Sequence, residues 1–284
     1  MACYIEQVVW HLLILLGFAG VAAAMVAETV SGPVSRPRVE AFARRQRLDI
    51  TPDNGNQVIR YLATTRRWRA AGLACGVVLS VGPHLPTQLR FQPVWLFTGW
   101  FAGALVAEAR VAHLGFGARR AASLQRRRPS TYLPRLAWAL VPAAAAVALA
   151  VAAGTALLAL TDRADPDWWA GAWLVAALLL AAAVRGVQRV VLRRPQPFAP
   201  ADVLAADDAI RSRSLHVLAG GGAALVMFCV FGQLGAVGAY SEEHTLMLTA
   251  LSAAGAFVVA AVGGVVATSS WGPRRRPAAT AEPA

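Results

Sequence analysis

Residues 136–160 read LAWALVPAAAAVALAVAAGTALLAL, twenty-five consecutive positions without a charge. A helix needs about 20 apolar residues to cross a hydrocarbon core about 30 Å thick. The run is therefore long enough to span a bilayer, where a helix satisfies its own backbone polar groups. Its flanks differ. On the amino-terminal side lie Arg119, Arg120, Arg126, Arg127, Arg128 and Arg135; on the carboxyl-terminal side lies TDRADPD, residues 161–167.

Working outward, the same pattern recurs. Further apolar runs occupy residues 8–27, 70–85, 94–112, 168–192, 215–237 and 246–267. The second is short and ends in Gly82-Pro83, so it reaches the headgroups only with help from Trp68 and neighbouring arginines. The fold expected is an all-α, polytopic integral membrane helix bundle of seven transmembrane helices, in a single membrane domain. Residues 28–69 form a basic loop and residues 268–284 a disordered tail.

Charge sets the expected direction. The stretches after the first and third runs, the inner end of the fifth run with the loop that follows it (residues 185–213), and the tail contain nine, six, six and three arginines, whereas the opposite side holds only Arg90 and Arg163 among six acids. Basic residues collect on the cytoplasmic side of membrane proteins, which places the amino terminus outside and the carboxyl terminus in the cytoplasm. Trp10, Trp95, Trp168, Trp169 and Tyr240 near the outer ends, with Trp68, Trp138 and Trp271 near the inner ends, form the matching aromatic belts. The region before the first run carries Glu6 and no basic residue, so a retained helix fits it better than a cleaved signal peptide.

Composition agrees. The 29.9 kDa chain is 57% apolar and 15% charged, with positive mean hydropathy, unlike an ordinary soluble domain. All 27 cationic residues are arginine, giving a net charge of +12. A nucleic-acid-binding domain gathers such charge on one soluble face; here it flanks apolar runs, and no nucleic-acid partner is expected. Without lysine there is neither a Walker-type phosphate loop nor a retinal Schiff base. No GxSxG nucleophile motif is present. Cys3, Cys75 and Cys229 are too far apart for a CxxC pair. No cofactor, metal site or catalytic group is assigned.

Gly72 and Gly76, and Gly99 and Gly103, each have a GxxxG spacing. Glycines on one face let helix backbones approach closely, so the second and third runs are expected to pack as a tight hairpin. In the basic loop, Val39, Phe42 and Leu48 among arginines suggest a helix lying along the inner leaflet. Thr51-Pro52-Asp53 reads as a second helix start, with Val58, Tyr61, Leu62 and Thr65 at helical spacing. Asp202 to Arg213 repeats the idea, acids first and arginines last. Arg44, Arg45, Arg47, Arg119, Arg120, Arg126, Arg127 and Arg128 are candidate contacts for anionic headgroups or for a soluble cytoplasmic partner such as a transport ATPase.

Glu108 is the only acid well inside an apolar run, about 7 Å from the middle of its segment at 1.5 Å per residue. A carboxylate there needs a partner, water or a proton. Arg185 lies at compatible depth, so the candidates are a Glu108–Arg185 tie or a proton or cation site. Asp207 and Asp208 resemble a metal-binding acid pair, but Asp207 four residues before Arg211 fits a solvated helix pair. His216 and the other histidines read as interfacial side chains.

Three functions fit. One is a non-catalytic, permease-like or accessory subunit of a transport complex. Another is a self-contained secondary transporter or channel using Glu108. The third is an enzyme acting on lipid-linked phosphate substrates.

Overall fold

The computed structural model describes residues 32–81, 94–113, 120–121, 128–161, 168–197, 199–236 and 242–269, with isolated helical positions between 17 and 27. Its helices are α1 (Arg36–Gln46), α2 (Pro52–Val81), α3 (Val94–His113), α4 (Pro129–Tyr132), α5 (Arg135–Leu160), α6 (Trp168–Arg193), α7 (Ala201–Gly235) and α8 (Glu242–Thr268). Two-residue strands, β1 (Arg120–Ala121) and β2 (Gln196–Pro197), pair antiparallel, Arg120 opposite Pro197.

Among the described residues α3, α5, α6 and α7 are long and apolar enough to cross a membrane. α8 contributes a shorter apolar stretch, Phe257–Thr268. The run at 8–27 falls almost wholly outside the described residues, as does most of the tail.

Two helices expected to start in the basic loops do start there, but do not stop at the apolar runs. α2 continues from Pro52 to Val81 and α7 from Ala201 to Gly235. No proline intervenes to remove a backbone donor, so the i→i−4 ladder carries on from polar into apolar sequence. The start of α2 is a reciprocal cap: Thr51 N–H donates to Asn54 Oδ1 at 2.9 Å, and Asn54 N–H to Thr51 Oγ1 at 3.3 Å. Thr51 Oγ1 also donates to Asp202 Oδ2 at 2.5 Å, fastening the starts of α2 and α7 together.

α7 is the axis of the bundle. It packs against α2, α3, α5, α6 and α8, and 78% of its apolar window is buried. The corresponding figures for α5 and α6 are 11% and 17%. A helix enclosed on every side has no apolar stripe to show.

Glycines decide the closest approaches. A Cβ on Gly72 would lie 2.2 Å from the Gly99 carbonyl oxygen, and one on Gly103 would lie 2.3 Å from that of Trp68. Gly76 meets the Trp95 carbonyl in the same way. The backbones of α2 and α3 therefore touch along both GxxxG faces. α7 and α8 make a second contact of this kind, with Gly220 against the Gly263 carbonyl and Gly263 against Ala224.

The apolar stripe of α1, expected to face the inner leaflet, faces the rest of the protein instead. Phe42 and Leu48 are buried in a cluster with Val58, Tyr61, Val111, Ala206 and Ile210, the Phe42 and Tyr61 rings 5.9 Å apart. Arg47, at φ 50°, turns the chain at the end of α1. Leu48 N–H then donates back to Ala43 O at 2.9 Å, which brings the Leu48 side chain inward.

Candidate functional site

The amino-terminal parts of α2, α5 and α7 meet the carboxyl-terminal ends of α3, α6 and α8 in one arginine-bearing layer. Every helix that ends there leaves carbonyls without intrahelical partners. Arginines fill that need. Arg211 Nη1 donates to the carbonyls of Val191, Leu192 and Arg194 at 3.0–3.1 Å, closing the end of α6. Arg194 reaches Val111 O at 3.2 Å on α3, and Arg213 donates to Ala267 O on α8.

One buried carboxylate, Asp207, joins two of these arginines. Its Oδ2 accepts from Arg211 Nη2 at 2.8 Å and its Oδ1 accepts from Arg194 Nη2. Asp207 is 1% exposed and Arg211 0%. The i,i+4 pair is thus present but buried, where sequence spacing suggested a solvated one. Two guanidiniums around one carboxylate, each also bonded to helix-end carbonyls, supply the extra hydrogen bonds that a buried ion pair requires. Asp208 turns elsewhere and accepts from Tyr132 Oη at 3.1 Å, while Ser212 Oγ donates to Tyr132 O at 3.1 Å. These two bonds hold α4 on α7.

Glu108 is fully buried among three helices. Oε1 accepts from Tyr61 Oη on α2 at 3.0 Å, and Oε2 accepts from Ser214 Oγ on α7 at 2.6 Å.

The expected Glu108–Arg185 tie does not form. Arg185 Nη1 instead donates to Gln188 Oε1 at 3.0 Å and Trp138 O at 3.4 Å, and its guanidinium lies 4.0 Å from the centre of the Trp138 ring. Depth along the membrane was compatible, but Arg185 faces α5, whereas Glu108 faces α2 and α7. His216 is also displaced from its expected interfacial place: it is 1% exposed, with Nδ1 2.8 Å from Ser212 O.

Arg44, Arg45 and Arg47 are exposed around the end of α1, and Arg128 is exposed just before α4. Arg120 takes part in the β1–β2 pairing, while Arg119, Arg126 and Arg127 lie outside the described residues. Tyr61 and Ser214 were not singled out as partners of Glu108 by sequence. Both are polar positions on helices that sequence reading left in the loops, so nothing placed them at the depth of α3.

No protein-family model matches the chain, and no curated protein or solved structure is detectably similar to it.

Proposed function

We propose that the chain is a seven-helix protein of the cell membrane, amino terminus outside, and serves as a non-catalytic, permease-like or accessory subunit of a transport complex. The observation that carries this reading is on α5. Ala146, Ala150 and Gly154 follow one another at four-residue spacing and are all exposed, with open space where a Gly154 side chain would be. Small residues in this spacing let a second helix approach closely. The cross-braced arginine layer supports the same reading, because it gives the bundle a fixed frame on which a partner can seat.

The test is purification of the full chain from its native membrane in mild detergent. A stoichiometric membrane partner is expected with the wild type, and Gly154→Leu should release it while leaving the chain folded. A Gly154→Leu protein that retains every partner removes this face from the argument. Orientation is tested separately: a cytoplasm-dependent reporter fused after Arg276 should be active, and the same reporter inserted at Asp165 should be silent.

One observation favours a second reading, a transporter using Glu108. Its two partners are hydroxyls, so a proton can come or go without breaking an ion pair. Glu108→Gln should then abolish pH-dependent transport in proteoliposomes. Unchanged transport would exclude that role.

A further inference from the structure

Two hairpins of the bundle repeat one another. A side chain added at Gly72 of α2 would meet the Gly99 carbonyl oxygen and the Gly103 amide nitrogen of α3, and one added at Gly220 of α7 would meet the Gly263 carbonyl oxygen and the Ala267 amide nitrogen of α8. The reciprocal contacts match as well, with Gly99 against Gly72 and Gly76, and Gly263 against Gly220 and Ala224. Each crossing glycine lies the same distance beyond a proline that opens its helix, Pro52 or Pro200. Thr51 and Asp202 fasten the two helix starts together, so both hairpins leave the same layer in the same direction, as parallel repeats do.

Transporters built from repeats hold their coupling ion where the repeats meet. Here the meeting line is one stripe of α3: Phe101 packs with Ala224 and Phe228, Ala104 with Val217, and Val111 with Ile210. Glu108 stands between Ala104 and Val111 on that stripe. It takes one hydroxyl from its own hairpin, Tyr61, and one from the other, Ser214. α8 ends at Thr268, directly after Ala267, whereas α3 continues past the equivalent Gly103 to His113. The acid therefore has no counterpart in the second hairpin.

The chemistry selects a proton over a metal cation. α2, α3 and α7 are continuous helices at this level, so their carbonyls serve the helical ladder, unlike the unwound carbonyls that hold sodium in transporters. Among the described residues the side-chain oxygens joined here are those of Glu108, Tyr61 and Ser214, fewer than the about six that a hard cation takes. The charged or titratable groups coupled to Glu108 are Tyr61 and Arg69 from α2, Arg213 from α7 and Arg194 beyond α6. The apolar stretch of α8 brings none. Three guanidiniums repel a metal ion.

We propose, resting on the reading of Glu108 as a transport residue, that it binds the coupling proton and that Ser214 conveys its charge state to the second hairpin. A proton from the solvent joins Oε2, which turns an acceptor into a donor. Ser214 Oγ then accepts, and its own hydrogen turns to the Ile210 carbonyl one helical turn back; no covalent bond of the protein breaks. A charge-assisted bond between the hairpins is replaced by a neutral one of about half the strength. Inward of this point Arg194 joins Val111 O of α3 to Asp207 of α7, while outward the hairpins meet through apolar contacts such as Phe97 with Phe257. Protonation lets the hairpins part on the outer side while the arginine layer stays braced, the rocking that repeats allow.

The experiment follows the full chain in lipid, in acidic and alkaline buffer, by two readouts. One is the infrared carbonyl stretch of a protonated carboxyl. The other is the distance between spin labels at Val106→Cys and Val258→Cys, exposed positions of α3 and α8, with Cys3, Cys75 and Cys229 replaced by alanine. On acidification the chain with native Glu108 should gain a carboxyl band and a longer label distance. Glu108→Gln should lose that band and hold one distance throughout. Ser214→Ala should keep the band at a shifted frequency and lose the distance response, whereas Tyr61→Phe, within one hairpin, should keep both responses. If Glu108→Gln does not fold, the frequency shift in Ser214→Ala assigns the band. A band retained in full by Glu108→Gln would overturn the proton site, and a distance response surviving in Ser214→Ala would overturn the link. So would a band or distance that follows sodium at constant pH. Both readouts as expected, beside transport unchanged in Glu108→Gln, would remove the transport role and leave the proton link; lost transport with neither readout would do the reverse.

Discussion

α5 and α7 are both long apolar helices, yet 11% of one apolar window is buried and 78% of the other. Their mean hydropathies, 2.2 and 1.9, scarcely differ. What separates them is the polar minority. α7 carries Asp207, Arg211, Ser212 and Ser214 just before its apolar run and His216 and Gln233 within it, all buried, whereas residues 136–160 have only Thr155 as a hydroxyl-bearing side chain. In water, apolar content draws a helix inward. In a bilayer the solvent is itself apolar, so polar groups mark the inside, and α7 becomes the axis because its side chains need partners that lipid does not offer.

The sharpest way to break this comparison is at Asp207. Asp207→Ala strands Arg194 and Arg211 in the interior, and removing one partner of a buried pair costs about 3–5 kcal/mol. Unfolding of the detergent-solubilised chain should show a loss of that size. A loss below about 1 kcal/mol would mean that water reaches the layer and that α7 is not central for electrostatic reasons.

Glycine substitutions sharpen the comparison next. Gly72→Ala places a Cβ 2.2 Å from a carbonyl oxygen of α3, and such overpacking costs about 1–3 kcal/mol. Gly154→Ala on α5 meets nothing within 4 Å, so replacing a helical glycine should stabilise by about 0.5–1 kcal/mol. The same chemical change should therefore have opposite signs at the core and at the exposed face. Equal signs in parallel unfolding titrations would contradict the packing described.

The smallest expected loss is at the cap joining α2 to α7. Thr51→Ala removes the side-chain acceptor at the start of α2 and should cost about 1 kcal/mol. Thr51→Ser, which keeps the hydroxyl, should restore most of it.

The arginines teach a related lesson. Their one-sided distribution supplied the expected orientation, but it did not distinguish residues that face lipid or solvent from those that hold helices together. Arg44, Arg45 and Arg47 are exposed. Arg194, Arg211 and Arg213 instead hold the ends of α3, α6 and α8. One cation type serves both ends because the guanidinium fork can reach several carbonyls and a carboxylate together.

By itself the sequence determined that this is a helical chain with segments long and apolar enough to cross a membrane, since apolar length and charge-free composition are local properties. It also pointed to the α2–α3 contact, because GxxxG spacing on a regular helix fixes which face is bare. It did not determine that Glu108 meets Tyr61 and Ser214 while Arg185 meets Trp138. Those outcomes were decided by the rotation of each helix about its own axis. That rotation follows from the combined packing of all neighbours, and two residues at the same depth share a bond only when it turns them toward one another.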